Sequence, residues 1–93
     1  KPNPGSSIPA NFKRFTIQVV SKRTLKDAQK TAAELIMAGY DVYIQKAFFK
    51  ETNETWFRVR IGSYDNRNSA IAVANAVSKN LGIKAWVDFV RFE

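Results

Sequence analysis

After its first few residues, the alternation of hydrophobic and polar positions divides the chain into two similar halves. Phe15-Thr16-Ile17-Gln18-Val19-Val20 alternates as a half-buried strand does. Thr24, followed by Asp27, offers a helix start of the capping-box kind, and Leu25, Ala28, Ala32, Leu35 and Ile36 recur at helical spacing. Ala38-Gly39 closes that helix, because glycine accepts the left-handed backbone that ends many helices, and Val42–Ala47 reads as the next strand. The second half repeats the plan. Phe57–Ile61 alternates, Asn66 or Asn68 caps, Ala70, Val73, Ala74, Val77 and Leu81 form the apolar stripe, Leu81-Gly82 ends the helix, and Lys84–Phe92 is the last strand. Laying Phe15–Val19 on Phe57–Ile61 brings Ser21 onto Ser63 and Ala28 onto Ala70, with Gly39 and Gly82 one residue out of step.

The order is βαββαβ, with the polar hairpin loop Glu51–Thr55 joining the halves. Right-handed crossovers in two such units predict an α+β, ferredoxin-like split βαβ fold: a four-stranded antiparallel sheet, strand order 4-1-3-2, with both helices on one face. The other face then has no helical cover. Alternation assigns Ile17, Val19, Val42, Ile44, Phe57, Val59, Ile61, Ala85 and Val87 to the helices, and Thr16, Gln18, Tyr43, Gln45, Trp56, Arg58, Arg60, Trp86 and Asp88 to the open side. A merely solvated face carries Thr, Lys, Glu and Ser. Two tryptophans, a tyrosine, two arginines and a glutamine make a binding platform instead, unless a Pro-rich arm or a second copy of the chain covers them.

Composition narrows the chemistry. A chain of 93 residues makes one domain, and 45% hydrophobic content gives it a core. Residues 1–11 (KPNPGSSIPAN) hold all three prolines and show no periodicity, so they read as a linker that tethers a domain at 12–93 to a longer protein. No apolar run is long enough for a membrane helix. Cysteine and histidine are absent, which excludes disulfide scaffolds, thiolate nucleophiles, Cys/His zinc sites and Ser-His-Asp triads, and no metal-ligand cluster or cofactor motif is visible. The net charge of +7 favours an anionic partner without choosing one. Asp88 is the only acid on the open face, whereas glycan hydrolysis needs two carboxylates across a cleft. A non-catalytic module is expected.

The strand pattern Phe15-Thr16-Ile17-Gln18-Val19-Val20-Ser21 followed by Ala28, and its partner Trp56-Phe57-Arg58-Val59-Arg60-Ile61-Gly62-Ser63-Tyr64 followed by Ala70, resembles the SPOR (sporulation-related repeat) domain family. The resemblance covers nearly the whole chain after the linker. It implies a module that binds bacterial peptidoglycan, preferring glycan strands stripped of stem peptides, and that targets an envelope, lytic or cell-division protein outside the cytoplasm. By the same resemblance Gln18 and Ser21 correspond to polar binding positions of the first strand and Trp56 and Arg58 to third-strand ones. A last-strand position falls on Trp86 or Val87, and the sheet-face argument selects Trp86. Val20 and Lys22 depart from the glycine and aromatic usual after the first strand, while Gly62 and Tyr64 keep both, so the first-half turn is expected to differ in shape.

The residue chemistry agrees with that implication. Tryptophans cover the C–H face of a sugar, a glutamine both donates to and accepts from hydroxyl or N-acetyl groups, and arginines fork onto carboxylates such as the free lactyl group of denuded muramic acid. The expected glycan contacts are Gln18, Ser21, Tyr43, Trp56, Arg58, Arg60 and Trp86, in a monomer with no nucleic-acid partner. Two rivals share the topology. An RRM-like single-stranded RNA-binding domain would show a basic residue, glycine and alternating aromatics on its third strand, where this chain reads WFRVRIG. A ferredoxin-like oligomerisation or regulatory domain would bury its tryptophans against a second copy.

Overall fold

In the computed structural model, which describes residues 10–91, the chain runs β1 (Ala10–Lys22), α1 (Leu25–Met37), β2 (Val42–Phe49), β3 (Glu54–Tyr64), α2 (Arg67–Leu81) and β4 (Trp86–Arg91). Local chemistry sets both helix starts. Thr24 sits in extended backbone and its side-chain oxygen accepts from the Asp27 N–H at 3.2 Å, while Asn66 Oδ1 accepts from the Asn68 and Ser69 N–H groups at 2.8 and 3.2 Å. Asn66, not Asn68, is therefore the second cap. The sheet order is β2-β3-β1-β4, all neighbours antiparallel, as the split βαβ reading requires.

Both helices lie on one face because their buried residues meet one cluster. Ala28, Ala32 and Leu35 of α1 and Ala70, Ala74 and Val77 of α2 pack on Ile17, Val19, Val59 and Ile61. Alanine supplies four of those six helical positions, so the helices contact the sheet at close range with little side chain between. Three stripe positions differ from expectation: Leu25, Ile36 and Leu81 are 45%, 57% and 40% exposed, since they flank the narrow alanine seam instead of entering it. Strand ends differ too. β2 reaches Phe49 where Phe49↔Glu54 closes the hairpin, and β1 begins at Ala10, which pairs with Arg91 as Asn11 does with Val90. The remaining expected linker residues, and Phe92, lie outside the described residues. Among the described residues no helix is long and apolar enough to cross a membrane.

Two register shifts shape the face opposite the helices. Between Gln18↔Arg60 and Val20↔Val59, β1 carries an extra residue, a bulge that reverses the side-chain phase of everything after it. Ser21 consequently stands opposite Arg58 on the open face, where simple alternation from Gln18 would turn it toward the helices. Between Phe15↔Tyr64 and Ile17↔Ile61 the extra residue is on β3. Gly62 occupies that bulge at φ +66°, its N–H donating to Asp41 O at 2.8 Å and the Tyr64 ring lying over it.

A Cβ at Gly62 would come within 2.7 Å of the Tyr64 ring in a backbone region that L-residues avoid. Gly62→Ala should destabilise the domain by about 1–3 kcal/mol, read from the urea midpoint. An unchanged midpoint would mean that the bulge does not depend on glycine.

Candidate functional site

The open face is closed at one end. Gln45 in β2 donates Nε2 to the backbone oxygen of Arg91 at 3.1 Å, although β2 and β4 are opposite edges of the sheet. Three strand spacings separate those edges by roughly 14 Å, beyond the reach of a glutamine. The last residues of β4 must therefore fold across the face, and they take the start of β1 with them through the Ala10–Arg91 pairing. Beneath this fold-back Thr16, Gln18, Gln45 and Arg60 are buried, at 0%, 3%, 3% and 1% exposure.

Arg60 is the centre of the covered half. Its Nε donates to Gln18 Oε1 at 2.8 Å, Nη1 to the Phe89 carbonyl at 3.1 Å and Nη2 to Asp88 Oδ2 at 2.6 Å. Asp88 also accepts from Arg91 Nη2 at 3.2 Å. Gln18 donates its amide nitrogen to Val20 O at 3.1 Å and Ser21 Oγ at 3.0 Å. Tyr43 O–H donates to Thr16 Oγ1, and Thr16 in turn lies 2.8 Å from the Gly62 carbonyl. Gln18, Tyr43 and Arg60 were expected to offer these groups to a ligand. In the structure these groups bond within the protein, with Gln18 and Arg60 nearly buried and Tyr43 part-exposed.

The uncovered half is a groove. Ser21, Phe49, Trp56 and Arg58 line one cavity of about 260 Å³, and Gln18, Ser21, Arg58, Arg60, Trp86, Asp88 and Arg91 border an adjoining one of about 260 Å³. Ser21 and Arg58 belong to both, so the two form one trough running from the β2–β3 hairpin to β4. Trp86 is 50% exposed. Arg58 rests its guanidinium over the Phe49 ring at 5.4 Å, and Arg23 covers Trp56 at 4.9 Å while bonded to Glu54 at 3.0 Å. Ser21, Trp56, Arg58 and Trp86 thus come together as expected positions, while Phe49, Arg23 and Arg91 were not anticipated. Phe49 has a signal in the sequence: it continues the alternation Tyr43, Gln45, Ala47 one step beyond the expected strand Val42–Ala47.

Burial lowers the Arg58 pKa from its ordinary value, and the Arg60 and Arg91 cations lower it further, with Asp88 opposing. The charge around Arg58 is thus biased positive, and an anion there would relieve it. Burial pushes the Asp88 carboxyl up, but the Phe89 N–H together with Arg60 and Arg91 outweighs it and holds the group below the usual carboxylate range. A carboxylate so held is a poor proton donor. Among the described residues no group of three or more acidic side chains could hold a metal ion.

Residues 11–88 match the SPOR domain family. Among solved structures the chain is similar to the solution structure of the peptidoglycan binding domain of the B. subtilis cell wall lytic enzyme CwlC, at 21% identity with a TM-score of 0.64, covering 88% of this chain and 95% of that one. At that identity the likeness is one of fold. No curated protein matches the sequence.

Asp88 titrates lower folded than unfolded, so its stabilisation is complete above the ordinary carboxylate range and is lost as pH falls through the folded value. Stability should be level near neutrality and fall below about pH 4. Asp88→Asn leaves Arg60 without its anion and should cost about 2–4 kcal/mol at pH 7, less than a fully buried pair because solvent reaches Asp88, and should flatten the acid limb. Urea midpoints between pH 7 and 3 check both, and identical acid dependence in the two proteins would contradict the assignment.

Proposed function

The chain belongs to the SPOR domain family, and on that premise we propose that it is a monomeric, non-catalytic peptidoglycan-binding module whose glycan strand lies in the trough between Trp56 and Trp86. The observation that carries this reading is Arg58: a half-buried guanidinium in a field biased positive by Arg60 and Arg91, with an aromatic floor beside it. A glycan strand offers apolar C–H faces, hydroxyl and N-acetyl edges, and, once stem peptides are removed, one lactyl carboxylate per muramic acid. Trp86 and Trp56 suit the C–H faces, and Arg58 suits the carboxylate. Single neutral hydrogen bonds contribute only about 0.5–1.5 kcal/mol, so affinity rests on consecutive sugar units in the two adjoining cavities and one disaccharide binds weakly.

Asp88, tied to two arginines and kept ionised, supports the absence of glycan-cleaving chemistry here. The module would bring a parent envelope, lytic or cell-division protein to its polymer outside the cytoplasm. The fold likeness to a peptidoglycan binding domain agrees with that role.

Binding to purified sacculi before and after amidase digestion, with RNA as competitor, tests the reading. Retention should rise after digestion and survive RNA. Trp56→Ala and Arg58→Ala should each weaken it on the order of 10–100-fold with melting temperature little changed. Undiminished retention in both variants removes the trough as the site, and preference for undigested sacculi rejects the denuded strand as its ligand.

A further inference from the structure

Gln18 and Arg60 border the trough but are almost fully buried, and their bonding fixes the polarity of a group that is open. Arginine has no acceptor, so the Gln18 oxygen must face Arg60 Nε, at 2.8 Å, and the amide nitrogen must face the other way. Both Gln18 N–H groups are then used, on Val20 O and Ser21 Oγ. Ser21 Oγ accepts a hydrogen bond from Gln18, which leaves its own O–H to donate elsewhere. Ser21 is exposed and pairs with Arg58 across the sheet.

We propose that Arg60 is a positioning residue: acting through Gln18, it turns the Ser21 hydroxyl proton into the trough, so that Ser21 and Arg58 form a donor-rich corner for an acceptor oxygen of the ligand. The corner suits a carboxylate or carbonyl oxygen, and the Arg58 charge disfavours an ammonium group. Asp88 and the Phe89 carbonyl hold the other arms of Arg60, so the orientation is imposed from β4 across β1. The Val19–Val20 bulge makes this possible, since without it Ser21 would point to the helices. This inference rests on the peptidoglycan reading for the identity of the ligand.

Amidase-prepared glycan strands are the probe, titrated against wild type, Ser21→Ala, Gln18→Glu and the double variant. Ser21→Ala should weaken binding about 3- to 10-fold, the worth of one neutral hydrogen bond. In Gln18→Glu a carboxylate still accepts from Arg60 but can only accept from Ser21, which turns the hydroxyl inward. Adding Ser21→Ala to that background should then leave affinity unchanged, whereas a purely structural Gln18 would let the two losses multiply. Multiplying losses, or a Ser21→Ala protein that binds as wild type, overturn the proposal while leaving the peptidoglycan reading in place. Wild-type protein that ignores the strands overturns both.

The Gln18 side-chain amide supplies a readout without ligand. Its two protons should exchange slowly and resonate apart in the wild type and lose both properties in Arg60→Lys. If Arg60→Lys does not fold, wild-type exchange decides alone: exchange as fast as that of a free amide overturns the positioning role.

Discussion

A guanidinium with 1% exposure must have its donors satisfied inside the protein, and the arrangement of the open sheet face follows from how Arg60 achieves this. Its partners come from two strands: Gln18 of β1, and Asp88 and the Phe89 carbonyl of β4. Reaching them draws the end of β4 over the sheet, where Arg91 meets Gln45 of the far edge strand. The same contacts keep Asp88 ionised, fix the orientation of Gln18 and place two further cations near Arg58. One buried charge thus sets the boundary between the covered half of the face and the trough that it borders.

Much of the fold was legible because it depends on patterns that repeat. The doubled strand-helix-strand plan, the Thr24 cap, the strand order and the two faces of the sheet all follow from local sequence patterns and crossover handedness, while the second cap was narrowed only to Asn66 or Asn68. The site was legible only in part. Arg58 and Arg60 are equivalent by alternation, and nothing local says that one is half-buried beside a trough and the other enclosed; that difference is made by β4, distant in sequence. The bulge in β1 was equally hidden, since Val19-Val20 reads as ordinary strand. Ser21 reached the open face in the sequence reading through family resemblance alone, and the bulge supplies the physical reason for its position.

The overall positive charge has a narrower meaning than its size suggests. Arg23 is engaged with Glu54 and Trp56, and Arg60 with Asp88. An exposed ion pair such as Arg23–Glu54 contributes at most about 1 kcal/mol, so its part is to steady the Trp56 ring more than to hold the fold. What remains for recognition is the local surplus of three guanidinium groups over one carboxylate around Arg58. Such a corner favours an acceptor or anion set among apolar surfaces, which describes a carboxylate-bearing sugar strand better than a simple polyanion.

The central claim is that the ligand occupies the uncovered half of the sheet face and leaves the covered half intact. Nuclear magnetic resonance titration with amidase-prepared glycan strands tests it directly. Shifts are expected at Ser21, Phe49, Arg58 and both tryptophan indole N–H groups, with the Arg60 side-chain Nε–H signal protected throughout. Shifts centred on α1 and α2, or exposure of Arg60 on binding, would contradict it.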